Sequence, residues 1–121
     1  MAYERPGRAV SLAGLFYEVQ TMDATTMDEI GMSEVKFSPG RLAITRGALE
    51  ELSTEDVLLA LGRHLIGDWG DVCQEDWREN EYSLSEGLRL WSVYHTREEK
   101  KFYVITEHDR SQTKVLLPTE Y

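Results

Sequence analysis

Residues 90–118 read LWSVYHTREEKKFYVITEHDRSQTKVLLP, and this stretch decides the expected fold. Three β-prone runs, LWSVYHT, KKFYVITE and TKVLLP, are separated by the polar connections 97–99 and 108–111. Connections this short join neighbouring strands that run in opposite directions, because a parallel pair needs a crossover of about a dozen residues or more. The stretch therefore predicts a three-stranded antiparallel meander.

The residues before the meander supply a hairpin and helices. The β-prone runs EVKF (34–37) and RLAIT (41–45) flank Ser38-Pro39-Gly40, which is favourable turn chemistry for a hairpin. A short helix is expected from Thr45 to Leu52. Ser53 is a natural N-cap for the next helix, whose apolar residues recur at helical spacing, and that helix should end near Gly67.

A further helix is expected in the run DVCQEDWRENEYSLSEGLRL (71–90). Asp71 lies near its expected N-cap, and acids follow in the first turns, where the helix dipole favours negative charge. The positions of Cys73, Trp77, Leu84 and Leu88 predict that these four side chains face the core. Cys73 is expected to be a buried, inert thiol.

These elements predict an α+β protein, with a small antiparallel sheet made of the meander and the hairpin and with helices packed on one face. The chain has 121 residues, of which 41% are hydrophobic, so one compact domain with a core is expected. We assign this α+β domain to residues 34–121. Residues 1–33 form an N-terminal segment without a clean period.

Composition limits the compartment and the chemistry. Cys73 is the single cysteine, which excludes an intrachain disulfide and a zinc site built on several cysteines. No apolar run approaches the roughly 18 residues of a membrane span, and no stretch has the features of a signal peptide. The sequence has no phosphate-binding glycine motif. We therefore expect a cytoplasmic protein without a cofactor or a bound metal.

The charge is strongly negative, with 22 acidic against 13 basic residues and a formal net charge of −9. Nucleic-acid binding is disfavoured, because it depends on lysine and arginine contacts to phosphate. Between Gly67 and Leu88, Arg78 is the only cation among seven acids. The predicted partner-binding residues lie in this region and are Asp68, Trp69, Asp71, Glu75, Asp76, Glu79, Glu81 and Glu86.

The strings HLIGDWGDVCQEDWRENE, SEGLRLWSVY, KFYVITEHDRS and VLLPTEY resemble a family of small bacterial proteins encoded on plasmids, integrative elements and phages. Members are often labelled plasmid-related protein or type I restriction endonuclease subunit M. The chain is too short for a DNA methyltransferase subunit and lacks its cofactor motifs. The resemblance therefore implies a mobile-element origin and a shared fold, and it implies no catalytic activity.

Three kinds of function remain open. The first is a non-enzymatic protein whose carboxylates imitate nucleic-acid phosphate and occupy a basic groove on a host defence protein, as an anti-restriction or anti-CRISPR inhibitor would. The second is a small hydrolase or nuclease that uses His64 with the residues of the turn 107–110. An accessory role in plasmid maintenance is a third possibility, and an acidic surface also serves solubility alone. The charge favours binding over catalysis.

Overall fold

The computed structural model describes residues 9–10 and 35–121. The remainder of the predicted N-terminal segment lies outside the described residues. In chain order the elements are β1 (Ala9–Val10), β2 (Arg41–Thr45), α1 (Arg46–Glu51), α2 (Thr54–Leu65), α3 (Gln74–Glu86), β3 (Leu90–His95), β4 (Lys101–Thr106), β5 (Gln112–Leu116) and a 3-10 helix (Pro118–Glu120). Among these helices, none is long and apolar enough to cross a membrane.

The strands form one mixed sheet in the order β1-β2-β5-β4-β3. Strands β3 and β4 are antiparallel, with Trp91 opposite Ile105, and β4 and β5 are antiparallel, with Ile105 opposite Lys114. The predicted meander is therefore confirmed, and so is the α+β class. Its register places Ser92 and Val104 on one face of the sheet and Trp91 and Ile105 on the other.

The predicted hairpin before the helices is wrong. RLAIT is a strand, β2, but residues 35–40 form none, and β2 pairs parallel with β5 and antiparallel with β1. The backbone of residues 35–40 is held elsewhere, since the Lys36 N–H donates to the Leu65 carbonyl and the Pro39 carbonyl accepts from Thr113. Both edges of β2 are thus occupied by more distant parts of the chain, which turn chemistry does not reveal.

The first two helices begin where the sequence predicts. The Thr45 hydroxyl accepts from the Ala48 N–H at α1, and the Ser53 hydroxyl accepts from the Asp56 N–H at 3.1 Å at α2. Each bond satisfies one of the free N–H groups of a first turn. Val57 and Leu61 of α2 belong to the buried core together with Phe102 and other residues of the sheet, so α2 covers one sheet face.

The N-cap of helix α3 is Cys73 rather than Asp71, because the Cys73 sulfur accepts the Asp76 N–H at 3.4 Å. The expected inward face is also partly wrong. Cys73 is exposed and Leu88 is 43% exposed, while Trp77 and Leu84 are only partly buried. The helix ends at Gly87, whose φ of 71° belongs to the left-handed region that glycine adopts without strain.

Polar groups attach α3 and the loop before it to β3. The buried Asn80 amide donates to the Trp91 carbonyl at 2.7 Å and accepts from the Trp91 N–H at 3.0 Å. Beside it, Gly70 forms a bridge with Val93. A Cβ atom at Gly70 would lie 2.1 Å from the Val93 carbonyl oxygen, so only glycine fits. These contacts close the outer edge of β3.

Candidate functional site

One exposed face of α3 carries a line of carboxylates. Glu75, Glu79 and Glu86 are exposed at spacings of four and seven residues, so their side chains lie on the same side of the helix. Tyr82 falls in the same line and is 58% exposed. From Glu75 to Glu86 the line runs about 16 Å along the helix axis. We call these four residues the acidic stripe, and no described cation pairs with its glutamates.

Two of the other predicted partner-binding acids lie close to the stripe. Asp76 is in the first turn of α3 and is partly buried, and its backbone N–H makes the bond to Cys73. Asp71 precedes the helix and is exposed, but its carboxylate lies 2.7 Å from Nδ1 of His95. Asp71 thus has a hydrogen-bonding partner within the protein.

Asp68 has a structural partner. Its carboxylate accepts two hydrogen bonds from the Arg63 guanidinium, at 2.8 and 3.2 Å, and one from the Gly70 N–H at 3.1 Å. The bond from Arg63 holds the pKa of Asp68 below its ordinary value. Asp68 therefore fixes the end of α2 and the following turn, and most of its charge is matched by Arg63.

Trp69 and Glu81 form a second structural pair. The Trp69 side chain is 0% exposed and packs against the rings of His64 and Phe37. Its indole N–H donates to the Glu81 carboxylate at 2.8 Å, which ties α3 to the loop. A fully buried ring cannot be a surface anchor, so the predicted partner-binding set loses Trp69, and Glu81 has a role inside the fold.

The structure thus divides the eight predicted residues instead of gathering them into one surface. The stripe glutamates share one face with Asp76 alongside, whereas Asp68, Trp69 and Glu81 stabilise the turn and the helix packing. Sequence reasoning missed Tyr82. Its spacing from Glu75, Glu79 and Glu86 was the available signal, since it continues the same helical period.

His64, the expected centre of a catalytic alternative, lies wholly inside the protein. It is 0% exposed, with the Ser92 and Thr106 hydroxyls 2.6 and 2.8 Å from its two ring nitrogens. Burial and, to a lesser extent, the charge of Arg110 lower its pKa to about 3. An imidazole without access to solvent and with both nitrogens occupied is not arranged to act on a substrate.

The turn 107–110 is also organised for structure. The Asp109 carboxylate accepts from the Ser111 N–H at 3.0 Å, and hydrogen bonds from Ser111 keep its pKa below the ordinary value. The Arg110 guanidinium donates to the carbonyls of Leu88 and Ser83 at the end of α3. These groups make an Asx turn and a helix cap, and His108 is exposed whereas His64 is buried.

A half-open cavity of about 300 Å³ lies between α2 and the β3–β4 end of the sheet. Its lining residues are Asp56, Leu59, Ala60, Arg63, Tyr94, His95, Thr96, Arg97 and Phe102. The cations at its rim are matched internally, Arg63 with Asp68 and Arg97 with Glu55 and Asp56. His95, which also lines the cavity, lies 2.7 Å from the Asp71 carboxylate, so each described cationic or imidazole side chain of the lining has a carboxylate partner.

Within residues 9–10 and 35–121, no group of three or more histidine, cysteine or acidic side chains is arranged to hold a metal ion. Comparison of the chain with protein-family models, with curated proteins and with solved structures gave no significant match.

Proposed function

We propose that the protein is a non-enzymatic inhibitor that presents the acidic stripe of α3 to a basic, nucleic-acid-binding groove on another protein. The partner class is a host enzyme of nucleic-acid defence, of the anti-restriction or anti-CRISPR target type. The observation that carries the proposal is the exposure of three glutamates on one helical face without a described counter-ion.

The chemistry of the stripe suits such a groove. Regular carboxylates along a rigid helix form a row of negative charge to which arginine and lysine side chains can pair, as they do to phosphate. Tyr82 adds an exposed aromatic ring among these charges. Arginine stacks on aromatic rings while it donates to carboxylates, so the combination favours an arginine-rich groove.

The catalytic alternative has less support. His64 is buried and uncharged, and the Arg110 guanidinium is bonded to backbone carbonyls. A role in plasmid maintenance would use the same surface and differs only in the partner. The resemblance to mobile-element proteins agrees with either role, because inhibitors of host defence and plasmid-maintenance proteins are both encoded on such elements.

The test is affinity capture from a bacterial lysate, read by mass spectrometry, with three forms of the full chain. They are the wild type, the stripe variant E75K/E79K/E86K and a control, E50K/E98K/E99K. The control residues are exposed and lie outside α3. Each triple variant moves the net charge from −9 to about −3, so the two variants differ only in where the charge is reversed.

We expect the wild type and the control to retain the same nucleic-acid-binding protein, and the stripe variant to lose it. Circular dichroism establishes that each form is folded. Equal retention by all three forms would show that the stripe is a solvated surface without a recognition role. Equal loss from both variants would assign the binding to net charge alone.

A further inference from the structure

The hydrogen bonds of His64 continue through the sheet to the loop before β2. Nδ1 lies 2.6 Å from the Ser92 hydroxyl, and Nε2 lies 2.8 Å from the Thr106 hydroxyl. The Thr106 hydroxyl lies 2.6 Å from that of Thr113, which donates to the Pro39 carbonyl at 2.7 Å. This chain of hydrogen bonds joins α2, the strands β3, β4 and β5, and the loop before β2. Its four side chains, those of His64, Ser92, Thr106 and Thr113, are buried.

The Pro39 carbonyl fixes the direction of these bonds. A carbonyl oxygen only accepts, so the single hydroxyl hydrogen of Thr113 is used there. Thr106 must then donate its own hydrogen to Thr113, and its oxygen accepts from Nε2 of His64. The neutral imidazole therefore carries its hydrogen on Nε2, and Nδ1 accepts from the Ser92 hydroxyl.

Among residues 9–10 and 35–121, no negatively charged group acts on His64 to stabilise a second proton. Ser92, Thr106 and Thr113 contribute hydroxyls from the three strands. The rings of Phe37 and Trp69 lie 5.3 and 5.6 Å from the imidazole, centroid to centroid. The charged group that acts on His64 is Arg110, from the β4–β5 turn, and it is also positive.

We propose that His64 and its hydrogen-bond chain form an acid-sensitive lock on the fold, closed while the imidazole is neutral and opened when it is protonated. A second proton would sit on Nδ1, where the Ser92 hydroxyl now donates. Ser92 would have to turn its hydrogen away, and a positive charge would be left in the core facing Arg110. When the fold opens, the free-energy costs of the displaced Ser92 hydrogen and of the buried positive charge are both removed. Protonation of His64 therefore favours the open protein.

The direction of the pH effect follows from the pKa of His64 in the unfolded and in the folded protein. Histidine in an unfolded chain has a pKa near 6.5, and the pKa of folded His64 is lowered to about 3. The contribution of His64 to folding is therefore complete above pH 6.5 and is lost as the pH falls toward 3. Within that window the unfolding equilibrium constant rises by up to about tenfold per pH unit.

Urea unfolding of the full chain, measured from about pH 8 to about pH 4, tests the lock in the wild type and in His64→Gln. Glutamine offers an amide NH2 donor and a carbonyl acceptor in place of the two ring nitrogens but does not titrate. We expect the ratio of the wild-type to the variant unfolding constant to grow by up to about tenfold per pH unit below about pH 6.5. Parallel pH dependence in the two proteins would overturn the proposal.

A second measurement needs no variant and decides the matter even if His64→Gln does not fold. ¹⁵N chemical shifts of the wild-type imidazole distinguish the two neutral tautomers and the protonated form. We expect the Nε2–H tautomer for His64, unchanged from about pH 8 to about pH 5. An Nδ1–H tautomer, or protonation of His64 near pH 6.5 in the folded protein, would contradict the lock.

Discussion

Single polar side chains determine much of the interior of this protein. His64, Asn80 and Thr113 are buried, and each makes hydrogen bonds that hold separate segments together. A buried polar group that loses its partner costs more than an ordinary hydrogen bond contributes, because its desolvation is no longer offset. Such residues specify which segments meet, and an apolar core of the same size would not.

The prediction at this scale concerns Thr113. Thr113→Val removes the hydroxyl that joins Thr106 to the Pro39 carbonyl and leaves both buried groups without that partner. We expect the free energy of unfolding, measured by urea denaturation near neutral pH, to fall by about 1–3 kcal/mol. Thr113→Ser keeps the hydroxyl and should lose about 0.8 kcal/mol for the missing methylene-sized group. A valine variant as stable as the wild type would show that these hydrogen bonds of Thr113 do not stabilise the fold.

Residue identity alone predicted some of these roles and missed others. Ser53 was recognisable as an N-cap, because the cap is local in sequence. The hydrogen-bond partners of His64 lie 28 and 42 positions away in the sequence, and that of Trp69 lies 12 positions away. No local sequence pattern predicts these contacts. A histidine and a tryptophan beside acids look like a functional cluster when their packing is unknown.

At the scale of elements, α3 differs from an ordinary amphipathic helix. Its buried residues are Asn80 and Ser83, and its packing depends on hydrogen bonds to β3, to Trp69 and to the β4–β5 turn. The expected apolar face was therefore wrong for Cys73 and Leu88. The outward glutamates were predictable, because spacing along a helix fixes which side chains share a face.

The prediction for this element is that Arg110 stabilises the end of α3. Its guanidinium reaches the carbonyls of Ser83 and Leu88 at once, at 3.2 and 2.6 Å, which a single ammonium group does not reproduce. We expect Arg110→Lys to lower the free energy of unfolding by about 1.5–3 kcal/mol. Arg97→Lys is the control, because Arg97 is 72% exposed and its change should stay within about 0.5 kcal/mol. Equal effects of the two substitutions would refute this capping role.

The sheet shows which strand pairings local sequence patterns predict and which they do not. The meander followed from two short connections, whereas the parallel pairing of β2 with β5 joins residues some 70 positions apart, such as Leu42 and Thr113. Turn chemistry around Pro39 suggested a nearer partner, but Lys36 and Pro39 bond to α2 and β5 instead. Such long-range strand pairing depends on how the whole core packs, so no local sequence pattern predicts it.

Over the whole molecule, the described acids divide into two groups. Asp68, Asp71 and Glu55 lie opposite cationic or titratable partners, whereas the glutamates of the acidic stripe make no ion pair with a described cation. The formal net charge of −9 makes duplex DNA an unfavourable ligand at moderate salt. If the proposed function is right, this ordered row of carboxylates binds to proteins that also bind phosphate.

Under the proposed function, the acidic stripe occupies the groove in which its partner would otherwise hold nucleic acid, and a displacement titration with duplex DNA examines whether it does. The captured complex is immobilised through the wild-type protein, and duplex DNA is added near physiological ionic strength. A mobility-shift assay with the wild-type protein alone serves as the control, in which we expect no binding to DNA. We expect duplex DNA to release the partner increasingly as its concentration rises, until release is complete. A partner that binds DNA while it stays on the protein would contradict the claim.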